Sequence, residues 1–132
     1  MLQKVSYFIF VVIAFSLASG RTLYAEETLG SAIDALVGAQ GRDAIHHTEL
    51  SINHTKESIR QGRAKHPYAL VRHAKEALNE IEIADKDNDD NPHTKEAIKH
   101  LNATIASGQR AETSLATKHA EAALSHLIQA IH

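Results

Sequence analysis

Four stretches of the chain carry the same alternation of apolar and polar positions, each arranged around a histidine. They are Ser51-Ile-Asn-His54-Thr-Lys-Glu-Ser-Ile59, Leu70-Val-Arg-His73-Ala-Lys-Glu-Ala-Leu78, Ala97-Ile-Lys-His100-Leu-Asn-Ala-Thr-Ile105 and Ala116-Thr-Lys-His119-Ala-Glu-Ala-Ala-Leu124. Counted from the histidine, positions −2, +1 and +5 are apolar or small and +8 often joins them, which is the a/d spacing of a packed helix. Lys56, Arg72, Lys75, Lys99 and Lys118 fall off that stripe. Gly62 and Gly108 stand where a C-terminal cap ends the first helix of a hairpin, and Pro67 and Pro92 stand near helix starts. Between the hairpins, Asp85-Lys-Asp-Asn-Asp-Asp-Asn91 is a polar connector.

The pattern is also duplicated. At a fixed offset of 46, His47 meets His93, Thr48 meets Thr94, Ile52 meets Ile98, His54 meets His100, Ile59 meets Ile105 and Gly62 meets Gly108. His73 meets His119, Ala74 meets Ala120, Ala77 meets Ala123 and Leu78 meets Leu124 at the same offset. A helical hairpin therefore occurs twice. Four helices with short connections predict an all-α, antiparallel four-helix bundle over 43–132. Residues 26–42 are read as a helical extension: Leu29, Ile33, Leu36 and Val37 have helical spacing, but Gly38 and Gly41 interrupt the frame. They form either a short extra helix or the start of the first one.

The beginning of the chain has another character. Lys4 precedes an apolar run from Val5 to Leu17, and Leu23-Tyr-Ala25 leads into Glu26-Glu27. The run falls short of the roughly 20 residues that cross a bilayer. A basic start, an apolar centre and a small residue at the cut describe a secretory signal peptide over 1–25, cleaved after Ala25. The expectation is an exported, periplasmic monomer with no stable membrane insertion.

Composition narrows the chemistry. The 132 residues include no cysteine and no tryptophan, so disulfides, thiolate ligands and cysteine nucleophiles are excluded. Loss of the leader takes Lys4 and Arg21 but no acid, lowering the basic groups from 14 to 12 against 16 acidic ones. That balance gives no basic face for nucleic acid. Tyr68 is then the one aromatic residue left, and the core must be aliphatic and rich in alanine.

The 10 histidines carry the remaining information. Eight form pairs seven apart: His47/His54, His66/His73, His93/His100 and His119/His126. Two turns of helix separate the members by about 10.5 Å, too far for one ion with bonds near ~2 Å. Each ring must find partners one turn away or on a neighbouring helix. One-turn carboxylates are Glu49 for His46, Glu57 for His54, Glu76 for His73 and Glu96 for His93, and Glu96 also precedes His100 by four. With the apolar stripe at a and d, the histidines fall at c, roughly 130° from the core, where rings face solvent. The candidate ligands are His46, His47, His54, His66, His73, His93, Glu96, His100, His119 and His126. Imidazole with carboxylate suits Cu(II), Zn(II) and Ni(II), with Cu(II) favoured by intrinsic affinity.

These residues carry a resemblance. Lys99-His100-Leu101, Arg72-His-Ala-Lys-Glu-Ala-Leu78 and Ala116-Thr-Lys-His-Ala-Glu-Ala-Ala-Leu-Ser-His126 resemble the heptad repeats of the small metal-binding protein family, over about 43–132. The resemblance implies an exported bacterial four-helix bundle that binds several copper ions and other divalent metals, for storage, buffering or tolerance. This chain departs from the family at the second histidine of the heptad, where it has Gln61, Glu80 and Ser107 and only His126 keeps the ring. Glu80 is an oxygen ligand in reserve.

Other readings are weaker on the residues. Asp85-x-Asp87-x-Asp89 with Glu96 at the twelfth position matches much of a calcium loop, but Asp90 replaces the turn glycine and Pro92 the apolar residue. A pH-responsive bundle would use the same histidines as proton acceptors. No Glu-x-x-His motif for a di-iron centre and no nucleophile elbow is present, so a binding protein is expected and not an enzyme.

Overall fold

The computed structural model describes residues 25–87 and 91–132, which leaves residues 1–24 of the leader outside the described part. Four helices follow in order: α1 (Ala25–Arg63), α2 (Pro67–Asp87), α3 (Pro92–Gln109) and α4 (Thr113–Ala130). No strand occurs among the described residues. The chain divides into two units, 1–39 and 40–132. In the first, the helix displays Ile33, Leu36 and Val37 to solvent. Residues 26–42 are thus the start of α1 and not a separate helix, because helical hydrogen bonding runs through Gly38 and Gly41 without a break. Among the described residues no helix is long and apolar enough to cross a membrane.

The second unit is a helical bundle, and its side-chain contacts fix the directions. Ser51 donates to the Ala77 carbonyl at 2.8 Å and Ser58 to the Leu70 carbonyl at 3.0 Å, so α1 and α2 run antiparallel. His93 lies against His126 and His100 against His119, which gives the same relation to α3 and α4. Arg63 on α1 reaches Glu121 on α4 at 2.8 Å and closes the ring of helices. Inside lie Ile52, Ala77, Ile81, Ala97, Leu101, Ala123 and Leu127. Alanine, with serine and threonine, makes up most of the buried set, so the helices approach closely.

The buried seam differs from the sequence expectation. In all four helices the fully covered positions are −3, +1, +4 and +8 from the histidine: Ser51, Thr55, Ser58 and Gly62; Leu70, Ala74, Ala77 and Ile81; Ala97, Leu101, Thr104 and Gly108; Ala116, Ala120, Ala123 and Leu127. At 100° per residue their mean direction lies about 70° from the histidine, not 130°. Small and hydroxylated residues at −3 and +4 carry little hydrophobic signal, so the larger side chains at −2 and +5 set the expected direction wrongly.

The two glycines also act otherwise than expected. Gly62 and Gly108 lie inside their helices, three residues before Lys65 and Ala111, which take φ values of 60° and 59°. Around each left-handed residue the bonds His66 N–H to Gln61 and Lys65 N–H to Gly62, or Glu112 N–H to Ser107 and Ala111 N–H to Gly108, form a Schellman cap. The caps fall at the same offset of 46 as the sequence repeat, but with non-glycine residues at their left-handed position. The glycines instead permit contact: a Cβ on Gly62 would collide with Thr117 Oγ1 and stand 2.7 Å from Leu70. One on Gly108 would stand 2.5 Å from Val71.

Pro67 and Pro92 each open a helix, as expected, and the Asn91 side chain caps α3 by accepting from the His93 N–H at 3.0 Å. α2 continues through Asp87, the third position of the calcium-like segment, so Asp85 and Asp87 have helical backbone. Residues 88–90 of that segment lie outside the described residues.

Candidate metal centres at the helix seams

Because the core direction is rotated, the expectation of solvent-facing rings is corrected. His47, His54, His73, His93, His100, His119 and His126 are half-buried, along the lines where two helices meet. The side chain of His73 is only 14% exposed. His46, His66 and His132 are exposed.

On the α1–α2 seam the rings of His54 and His73 stack with centroids 6.2 Å apart. Glu76 lies between them, its Oε2 at 2.8 Å from His73 Nδ1 and 3.2 Å from His54 Nδ1. His47 Nδ1 meets Glu80 Oε2 at 2.7 Å. The one-turn pairing of His73 with Glu76 is present, whereas Glu57 pairs not with His54 but, at 3.9 Å, with His73 Nε2 across the hairpin. Its carboxylate accepts from Arg60 Nε at 2.8 Å and Gln61 Nε2 at 2.8 Å. Those hydrogen bonds hold the Glu57 carboxyl down to about 2, far below the ordinary carboxylate value.

The α3–α4 seam is a ladder of imidazoles. His93 pairs with His126 at 5.7 Å between centroids, His126 with His100 at 5.6 Å, and His100 with His119 at 5.9 Å. The Nδ1 atoms of His93 and His126 stand 3.4 Å apart, so one ring donates a hydrogen to the other's lone pair. Burial pushes His100 below the ordinary imidazole value, and the neighbouring His126 and His119 add to the shift. The ring keeps its lone pair free.

Two groups bring their ligand atoms within 4.8 Å of one another: His54, His73 and Glu76, and Glu96, His100 and His126. Donors opposite each other around an ion with bonds near ~2 Å are about 4 Å apart, so modest side-chain rotation brings either group onto one ion. The donor chemistry therefore fits a divalent transition metal. Partners within a pair seven apart stay separate, and every paired ring except His66 instead meets a ring or carboxylate of the adjacent helix. Glu96 joins His100 and His126, not His93. His46 lies beside His47 with centroids 5.8 Å apart, and His66 contacts Gln61 at 3.2 Å, but neither enters a three-ligand group among the described residues. Glu76 is the candidate ligand that a same-helix pairing rule undervalues, because it contacts a second histidine across the hairpin.

The sequence pattern that defines the small metal-binding proteins matches residues 3–130. The chain belongs to the small metal-binding protein family. The match extends beyond 43–132 and takes in the N-terminal part of α1, for which the heptad motifs offered no counterpart. No curated protein matches the chain in sequence. Membership in the small metal-binding protein family and the two donor groups agree on one point. This is a metal-binding protein, and the histidine and glutamate groups at its helix seams are the candidate ligands.

Proposed function

We propose that the protein is a periplasmic metal buffer that binds Cu(II), and less tightly Zn(II) or Ni(II), as an exported monomer without enzymatic activity. The observation that carries this reading is the pairing of rings across each hairpin, with a carboxylate beside them, on a bundle of family-matched sequence. Such sites are open to exchange, since the rings lie at half-covered seams and not in a sealed core. A buffer needs that accessibility, and a catalyst would need a pocket to hold a second reactant. Copper is favoured over the other ions by the intrinsic affinity of imidazole sites. The absence of cysteine, and of methionine after leader removal, argues against Cu(I) as the stored ion.

Glu76 and Glu80 accept hydrogen bonds from Nδ1 of His73 and His47, which leaves Nε2 as the lone-pair nitrogen of each ring; on His73 that nitrogen accepts from Arg72 at 3.1 Å. Metal binding replaces protons and ring–ring contacts, so uptake falls steeply toward pH 5. Isothermal titration with Cu(II), Zn(II) and Ni(II) at pH 7 tests the proposal. Saturable Cu(II) uptake, reduced in stoichiometry or affinity by His100→Ala and by His119→Ala, supports it. No uptake, or uptake unchanged in both variants, refutes it.

A further inference from the structure

The repeat at offset 46 allows the two seams to be compared donor by donor on one scaffold. Three histidines are kept: His47 with His93, His54 with His100 and His73 with His119. The remaining donors are not. Glu57, Glu76 and Glu80 of the first hairpin correspond to Ala103, Ala122 and His126 of the second. Along the seam the second hairpin gains one carboxylate in return, Glu96 in place of Leu50; its other new carboxylates, Glu112 for His66 and Glu121 for Lys75, pair with Arg110 and Arg63. With Glu57 bound to Arg60 and Gln61, the α1–α2 seam offers three imidazoles with the carboxylates Glu76 and Glu80 directly on them. The α3–α4 seam offers four imidazoles in an unbroken ladder, and its one carboxylate is shared with Lys99 at 3.2 Å.

Nitrogen-rich sets favour Cu(II), whereas added carboxylate oxygen and negative charge favour harder ions such as Mn(II). We infer that the two seams are specialised, the α3–α4 ladder taking Cu(II) and the carboxylate-bearing α1–α2 seam taking a harder, oxygen-preferring divalent ion. This rests on the metal-binding reading above and adds a division of labour to it. The exchanged position Glu80/His126 helps to separate the two donor sets, since both contact a ring at the equivalent place, His47 or His93.

Paramagnetic broadening of amide signals in the full chain reads the two seams separately. At pH 7 the first equivalent of Cu(II) is expected to broaden residues around His100 and His126 and to spare those around His54 and His73. Mn(II), with or without that Cu(II), is expected to broaden the α1–α2 seam first. Glu76→Gln with Glu80→Gln should weaken Mn(II) binding at least about tenfold and change the first Cu(II) equivalent less than about twofold. Glu80→His should tighten Cu(II) at the α1–α2 seam by at least about tenfold. Cu(II) broadening both seams alike at one equivalent, or Mn(II) preferring the α3–α4 ladder, overturns the inference while leaving metal binding intact. A chain that binds neither ion overturns both.

Discussion

Gly62→Ala introduces one methyl group at a place where two helices meet α1. The added carbon would overlap Thr117 Oγ1, stand 3.3 Å from Thr117 Cβ and lie 2.7 Å from Leu70 Cδ1. Leu70 is fully buried, and the Thr117 hydroxyl is held by donation to the Thr113 carbonyl at 2.7 Å, so neither neighbour has an easy escape. Overpacking of this kind costs about 1–3 kcal/mol, and a clash with two held side chains belongs at the upper end. Alanine recovers up to about 1 kcal/mol of helix propensity. The expected net loss is about 2 kcal/mol. In a domain of this size that is a fall of roughly 10 °C in Tm. Gly41→Ala is the control, because nothing lies within 4 Å of its added carbon and only the propensity gain remains. Urea and thermal denaturation of the metal-free protein measure both. Gly62→Ala as stable as the parent, or Gly41→Ala as damaging as Gly62→Ala, would refute the close approach of α1 to α2 and α4.

Ala111 holds a left-handed backbone at φ 59° in the cap that ends α3, so Ala111→Gly relieves strain and should raise stability by about 1 kcal/mol in urea denaturation. Loss of stability there would mean that the Ala111 side chain matters more than its backbone. The metal-free bundle should weaken on acidification. The unfolded chain protonates His100 near the ordinary 6.5, while the folded chain resists until lower pH, so stability falls as pH drops through 6.5 and levels off below the folded value. Denaturation midpoints between pH 8 and pH 5 should show this slope, and His100→Gln should flatten it; an equal slope in the variant assigns the effect to other groups.

Much of the fold was legible because helix length, hairpin duplication and proline placement are local properties. The duplicated stripe put Ile52, Leu101 and Ala120 on the correct side, and Pro67 and Pro92 at helix starts. The exact facing of each helix was harder to read. It depends on Ser51, Ser58, Thr104 and Ala116, small residues buried where neighbouring helices come close; Ser51 and Ser58 donate to carbonyls of the next helix and Thr104 to the His100 carbonyl of its own. The same rotation moved the histidines from the outer surface to the seams. Their types, and their need for partners either one turn away or on a neighbouring helix, followed from spacing alone. Which carboxylate meets which ring did not, since Glu57 chooses Arg60 within its own helix and Glu76 reaches His54 across the hairpin. Such choices depend on competing side chains that only the assembled bundle brings together.

The central claim is that metal ions sit between helices, on rings presented across a hairpin. Anomalous diffraction at the copper edge, from crystals of the Cu(II)-loaded protein, tests it most directly. The account predicts copper between α3 and α4, at bonding distances near ~2 Å from His100 and His126 with Glu96 alongside. Copper found only on isolated exposed rings such as His66 or His132, with both seams bare, would contradict it.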